Sequence, residues 1–202
     1  MGNYQLIILS PQGDAWDVTE RVSTLSWSGS VKRVSRRIEA VMATPNDGSL
    51  PELPCDLGNE LRLSVQGTQR FLGHIVTRDK ATDSSTTELT ALDRGRFLSG
   101  NEGWYTFSGT APEAAVRALC ADFGIPVGGL AETGVQVARK YPGIALSKMV
   151  DSLYTMAAEQ NGKRYLSRFN GAGELEVVEK SNLDDHAFKE KIIAALKEES
   201  HA

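Results

Sequence analysis

The first hundred residues alternate between apolar and polar side chains, as expected for strands with one buried face. The clearest case is Leu61, Leu63 and Val65, which alternate with polar residues and predict a β-strand. A hairpin turn at 66–69 leads into a second predicted strand at 70–77. Similar runs between turn-like stretches predict further strands at 5–9, 22–28, 36–43 and 86–92. Short strands at this spacing predict an antiparallel β-barrel or sandwich.

The period changes to that of a helix after Gly109. Thr110 and Glu113 have the spacing of a capping box, with the hydroxyl at the cap and the carboxylate three residues later. Pro112 is tolerated in the first turn because no amide partner is lost there. The predicted helix runs to Phe123, and Gly124 closes it as a left-handed C-cap.

A second helix and a hairpin follow, and together they predict a small α+β unit. The helix is indicated by apolar residues at three- and four-residue spacing, and it ends at Asn161 and Gly162. These apolar residues are Leu146, Met149, Val150, Leu153 and Ala157. The hairpin is predicted from strands at 163–169 and 174–179 around a turn at 170–173. The glycine-rich stretch 124–129 is interpreted as a connecting loop, because it follows a helix rather than the strand that precedes a phosphate loop.

A short amphipathic helix is predicted near the C-terminus, capped by Asp184 or Asp185. Phe188, Ile192 and Leu196 lie on one of its faces, while charged residues lie elsewhere. A helix this short is marginal alone, so these three residues are predicted to bind a partner or the chain's own body. The sequence therefore predicts three regions: a barrel or sandwich domain at 1–100, a small α+β domain at 101–180 and a helical tail at 181–202.

Charge and composition exclude several classes of protein. The 202 residues carry 22 basic and 26 acidic side chains, a net charge of -4, which argues against a dedicated sequence-specific nucleic-acid or anionic-membrane binder. No segment approaches the ~20 apolar residues of a membrane span. The apolar run 6–9 lacks the flanks of a secretion signal. Cys55 and Cys120 have no CxxC spacing and are interpreted as reduced thiols of a protein made in the cytoplasm.

The usual catalytic and metal-binding patterns are missing, so we expect no enzyme and no cofactor. His74 is alone in a strand and is interpreted as a surface or hydrogen-bonded residue rather than a base. Glu113, Asp122 and Asp151 are candidates for the two carboxylates of a glycosidase, but Glu113 is explained by its cap and the other two by polar helix faces. Three acidic residues near the N-terminus could bind calcium, but their spacing lacks the glycine-turned loop of a calcium site; these are Asp14, Asp17 and Glu20.

The basic and aromatic residues are interpreted as contact surfaces rather than as catalytic groups. One basic cluster is interpreted as protection of a strand edge or as ion-pair partners in an assembly. Its members are Lys32, Arg33, Arg36 and Arg37. Trp27 is interpreted as a core or interface residue. An exposed row of aromatics around Trp104 and Tyr105 would instead favour a glycan-binding surface.

Three blocks of sequence, in this order, carry a resemblance to a known family. The first block is DV (17–18), LSWSG (25–29) and RRIE (36–39); the second is LGNEL (57–61), FLGHI (71–75) and ALDR (91–94). The third is TAPEAA (110–115), CADFGIPVG (120–128) and QNGKRY (160–165). Together they resemble the baseplate hub proteins of contractile phage tails, prophages and phage-tail-like bacteriocins. The resemblance spans residues 14–180 and depends on the order of the blocks.

The resemblance implies a non-enzymatic structural protein of the virion, assembled in the host cytoplasm. Such hubs form a ring, usually a trimer, between the tail tube protein and the central spike protein, beside other baseplate proteins. They use β-barrel-like domains that resemble tail-tube subunits, and the resemblance implies no catalytic residues. Relatives usually continue into a further β domain where this chain has its short helix, so we expect the ring to be completed by another copy, another protein or a different symmetry.

Three alternatives stay open at this point. A tail-associated peptidoglycan hydrolase would require a cleft with two facing carboxylates. A cell-wall or glycan binding module would require exposed aromatics. A protein of a non-contractile tail is the third alternative.

Overall fold

The computed structural model describes residues 4–30 and 33–180, with the side chains of all of these except 30, 33 and 34. The strands are β1 (Tyr4–Leu9), β2 (Ala15–Asp17), β3 (Val22–Ser30), β4 (Arg33–Ala43), β5 (Glu60–Val65), β6 (Thr68–Asp79), β7 (Thr86–Asp93), β8 (Glu102–Thr110), β9 (Val127–Leu130), β10 (Val137–Ala145), β11 (Tyr165–Phe169) and β12 (Leu175–Glu179). The helices are α1 (Gly95–Gly100), α2 (Pro112–Asp122) and α3 (Leu146–Asn161), with a short 3-10 turn at Thr19–Arg21.

The first seven strands form one antiparallel sheet in the order β2-β1-β5-β6-β7-β4-β3. Its apolar residues point to one side because alternate side chains of a strand lie on the same face. Ile8 of β1 and Ile38 of β4, near opposite ends of the sheet, lie in one buried cluster. The sheet is therefore strongly curled around a single core, as in a barrel, rather than split into the two sheets of a sandwich.

The second half of the structure combines two smaller sheets with helices. β8 and β10 pair as an antiparallel ribbon, and β11, β12 and β9 form a three-stranded sheet in which β12 and β9 run parallel. A second buried cluster joins α2 and α3 to both sheets and includes Leu119, Leu153 and Phe169. Leu98 of α1 also lies in this cluster, so the second core begins just before residue 101.

The prediction of a β-rich α+β protein with an N-terminal antiparallel sheet is confirmed. Helix α3 and the hairpin of β11 and β12 occupy their predicted places. Gly124 and Gly162 follow α2 and α3 with φ angles of 62° and 72°, the left-handed conformation expected of C-terminal caps. The interpretation of 124–129 as a loop was wrong in part, because β9 begins at Val127.

The predicted capping box at the start of α2 was also wrong. Thr110 is the last residue of β8 and pairs with Val137 of β10, and the residue at the cap position is Ala111, without a side-chain hydrogen bond. The Glu113 carboxylate instead accepts hydrogen bonds from Thr133, from its hydroxyl at 3.0 Å and its amide at 3.4 Å. Strand pairing therefore takes priority over the local capping motif, and Pro112 begins the helix unaided.

Because the capping box is not formed, two alanine substitutions should have unequal effects on stability. Thr110→Ala should change the free energy of unfolding by less than about 0.5 kcal/mol, because no cap is lost. Glu113→Ala should cost about 1–2 kcal/mol, because it leaves the buried Thr133 hydroxyl without its carboxylate partner. Urea denaturation measures both, with Glu132→Ala as the exposed neighbouring control. A larger loss of unfolding free energy for Thr110→Ala than for Glu113→Ala would show that the capping box is formed after all.

Candidate functional site

The residues weighed for metal binding and catalysis do not come together. Within residues 4–30 and 33–180, no three His, Cys, Asp or Glu side chains are grouped closely enough to hold a metal ion. The two oxygens of Asp17 accept hydrogen bonds from Thr19 and Gln5, and the Thr19 hydroxyl foremost lowers the pKa of that carboxyl. Asp17 therefore fixes the turn after β2.

The three carboxylates that are candidates for an acid/base pair are held by different parts of the fold. Glu113 binds Thr133, Asp122 accepts a hydrogen bond of 2.7 Å from the Tyr105 hydroxyl, and Asp151 accepts one of 3.3 Å from the Ser167 hydroxyl. Burial raises the pKa of Asp151, and its bond with Ser167 opposes that shift. Each carboxylate thus serves a local contact, and the facing pair that a glycosidase uses is not formed by these three residues.

His74 is the titratable group whose environment differs most from the prediction. It lies half-buried in β6, its ring meets Phe97 edge-on at 6.2 Å between centroids, and its buried Nδ1 has no hydrogen-bond partner among residues 4–30 and 33–180. The interpretation as a surface or hydrogen-bonded residue therefore holds only in part, because the ring is half-exposed but its Nδ1 is not hydrogen-bonded within the described residues. Burial, foremost, lowers the pKa of the imidazole, and Arg94 and Arg96 add to that shift while Glu60 opposes it.

The most connected polar group in the described structure is Arg36 on β4. Its Nε donates to Asp93 Oδ2 at 2.9 Å, and the Asp93 side chain is fully buried while that of Arg36 is 19% exposed. The guanidinium also lies 5.8 Å and 5.7 Å from the ring centroids of Trp27 and Phe71, within the range of cation–π attraction. Asp93 uses its other oxygen to accept the amide of Gly95 at the start of α1.

Arg36 also ties the large sheet to the second half of the chain. Its Nη1 donates to the carbonyl of Arg70 and its Nη2 to the carbonyl of Asn170, both at 3.0 Å. One planar guanidinium therefore joins β4, β6, β7 and the turn between β11 and β12. The predicted role of the basic cluster in protecting a strand edge was wrong for Arg36 and Arg37, because β4 lies inside the sheet.

The turn between β11 and β12 lies directly against the large sheet. The Gln69 side chain donates to the carbonyl of Gly171 at 2.6 Å. A Cβ added at Gly171 would lie 2.0 Å from the carbonyl oxygen of Gln69, closer than any side chain tolerates. Only glycine permits this approach of two backbones, so the junction is fixed by backbone contact as well as by Arg36.

Two surfaces are candidates for partners. On the ribbon, Trp104 is 79% exposed and its indole lies over Gly143 of β10. Tyr105 is on the opposite face, bound to Asp122 and stacked on Phe107. The row of aromatics weighed for glycan binding is therefore not formed, because neighbouring residues of a strand point to opposite sides.

The second surface is the free edge of the large sheet at β3. This strand pairs only with β4 among the described strands, and Thr24, Ser26 and Ser28 on its exposed face carry small hydroxyl side chains. Soluble proteins usually blunt such an edge with lysine or proline, and residues 22–30 contain neither. The edge is therefore free to pair with another strand. The three predicted partner-binding residues, Phe188, Ile192 and Leu196, lie outside the described residues.

Comparison with known proteins finds one matching family model and one relative in sequence. A family model described as YQBQ-like matches residues 25–195. The phage-like element PBSX protein XkdQ of Bacillus subtilis (strain 168) is 27% identical over 111 residues, which cover 55% of this chain and 33% of that protein.

Two solved structures share the fold at low sequence identity. The 43 kDa tail protein of prophage MuSo2 from Shewanella oneidensis has a TM-score of 0.69 at 15% identity and matches 87% of this chain and 53% of its own. The tail protein from Neisseria meningitidis MC58 has a TM-score of 0.61 at 16% identity, matching 88% of this chain and 50% of its own. The chain thus spans about half the length of these two solved chains.

The junction predicts different costs for two neighbouring arginines. Arg36→Ala should lower the free energy of unfolding by about 3 kcal/mol or more, because it leaves a fully buried carboxylate without its cation. Arg37→Ala is the matched control in the same strand; its pair with Glu39 is about half exposed, so the loss should stay under about 1 kcal/mol. Chemical denaturation measures both. Equal losses would mean that Arg36 is not the centre of the junction.

Both cysteines of the folded protein should react very slowly with thiol reagents. Burial raises the pKa of Cys55 to about 11 and that of Cys120 to about 11, and only the thiolate reacts. At pH 8 the folded protein should react with an aromatic disulfide reagent far more slowly than the same protein in 6 M urea. Fast reaction of both thiols in the folded protein would contradict their buried placement.

Proposed function

The chain belongs to the YQBQ-like family, and from that premise we propose that it is a structural protein of a phage tail or phage-tail-like particle. Two kinds of relative support this: one matched in sequence is described as a protein of a phage-like element, and two matched in fold are described as tail proteins. No helix within the described residues has the length and apolarity to span a membrane.

The finer proposal is that this protein is a hub of a contractile baseplate. In this role copies of the chain form a ring, a trimer in most hubs of this kind, that joins the tail tube protein to the central spike protein beside other baseplate proteins. The observation that carries the proposal is the outer edge of β3, which no other described strand pairs with. A ring requires each subunit to offer one surface to the next subunit's different surface, and an exposed strand edge is such a surface.

The chemistry of β3 suits strand addition. Main-chain N–H and C=O groups at an edge supply affinity, while the side chains decide which partner fits. Ser26 and Ser28 are small and exposed, so an incoming strand meets no bulky or charged side chain on that face. Leu25 and Trp27 turn toward the core of the sheet, where they are half-buried, and hold the edge in place.

We also propose that the chain is divided into a barrel-like domain at 1–100, a small α+β domain at 101–180 and a helical tail at 181–202. Two separate buried clusters support the first boundary, and the Arg36 junction makes the two halves suitable for holding neighbours at a constant angle. A hub that transmits force between a tube and a spike requires such a rigid connection.

Two alternatives have clear tests. A peptidoglycan hydrolase would clear a zymogram, and the separation of Glu113, Asp122 and Asp151 into different local contacts does not favour it. A glycan-binding module is favoured by the exposed Trp104 alone. Retention of the protein on insoluble cell wall, lost in Trp104→Ala, would support that module over the hub.

Particle imaging tests the position of the chain. Labelled protein should appear at the end of the tail tube in electron micrographs of intact particles, and the native mass of the isolated ring should be a small multiple of the chain. Label spread along the tube would make it a tube protein instead. Intact particles that lack the chain would contradict a structural role altogether.

A charge on the β3 edge should block assembly without unfolding the subunit. Ser26→Lys places an ammonium group on the exposed face of the edge strand, which opposes pairing with another strand. Thr77→Lys is the matched control, since it adds the same charge at an exposed position of the interior strand β6. Light scattering and incorporation into particles should fall for Ser26→Lys only. Equal incorporation of both variants would remove β3 from the interface.

A further inference from the structure

The groove between α3 and β11 has no occupant from the described residues. It has a volume of about 390 Å³. Its deepest side chains, Val150, Tyr154 and Val177, are buried members of the second core. Leu166 and Ala158 line it as half-exposed apolar residues. The groove therefore exposes part of the second apolar core.

The last described residue of the chain lies in this groove. Lys180 lines it, and the Lys180 amide donates to the carbonyl of Arg164 at 2.7 Å. The backbone is thus fixed at the mouth of the groove, and the next residues of the chain start from there. Three residues, 181–183, extend at most about 10 Å, so the helix predicted from the sequence, with its cap at Asp184, would start beside the groove.

The composition of the tail matches the lining of the groove. The four-residue spacing of Phe188, Ile192 and Leu196 would place them on one face of the predicted helix, and such an apolar face is costly to leave in water. The segment 181–202 carries five carboxylates and three lysines. Two basic residues, Arg164 and Lys180, stand at the groove beside a single acidic one, Asp151. Opposite net charges therefore accompany the apolar match.

We propose that residues 184–199 of the same chain dock in the groove between α3 and β11, with Phe188, Ile192 and Leu196 facing it. A sixteen-residue helix is about 24 Å long, the length of α3. A short connection also gives the tail a high effective concentration at its own groove compared with that of another molecule. The helix would complete the second core, and this proposal does not depend on a place in a phage tail.

A cysteine reporter in the groove tests the docking in the full chain. Thr155 is exposed and lines the groove, so Thr155→Cys places a reactive thiol beneath the docked helix. The two native cysteines are buried, with pKa values raised to about 11, and do not compete at pH 8. Ser108→Cys, at an exposed position on β8 outside the groove, is the matched control. Each reporter is measured with the parent tail and with Phe188, Ile192 and Leu196 all replaced by serine.

If the tail docks in the groove, the serine tail should change the rate of thiol reaction at the groove reporter only. The serine tail should speed the reaction of Thr155→Cys on the order of tenfold, since protection follows the fraction of docked tail, and should leave Ser108→Cys unchanged. The parent rate should not depend on protein concentration. An equal rate for Thr155→Cys with both tails would overturn the proposal, and so would an equal change at Ser108→Cys. Protection that grows with protein concentration would assign the groove to the tail of a second copy and overturn docking within one chain.

Discussion

The ion pair between Arg36 and Asp93 is the constraint on which the rest of the structure depends. A carboxylate that is fully buried requires a cation, and Arg36 supplies it from the neighbouring strand β4. The other nitrogens of the same guanidinium then bind carbonyls of Arg70 and Asn170. Because these donors are fixed in one plane, the position of the second half of the chain follows from the position of β4.

Much of the fold could be predicted from the sequence, because period-two patterns survive wherever one face of a strand is buried. This applies to most strands of the large sheet. The strands that were not predicted are β2, which has three residues, and β8, β9 and β10. Glycine or proline interrupts the last three, as at Gly103, Gly129 and Pro142, and removes the side chains that would show alternation. Local spacing was misleading at Thr110, because pairing with Val137 depends on a residue far along the chain.

The candidate site was harder to predict, because it depends on contacts between distant residues. Arg36 was recognised as part of a basic cluster, but its charge alone did not show that it is largely buried. Its partner Asp93 lies 57 residues away, and although it falls within the ALDR block, nothing in that block assigns it a role. Trp104 and Tyr105 were predicted together as one surface, whereas strand geometry separates them to opposite faces. The free edge at β3 follows from strand order, which a single sequence does not specify.

The junction also has a consequence for synthesis on the ribosome. Domains generally fold as units, N-terminal first, while the chain is still being made. Asp93 is available to Arg36 once the large sheet has been synthesised, but the carbonyl of Asn170 comes 134 residues after Arg36 in the chain. Until then the guanidinium is held in place by the sheet alone, with one of its nitrogens facing water. The sheet therefore acts as a template, and among the described elements that contact Arg36 the hairpin of β11 and β12 is the last to be synthesised.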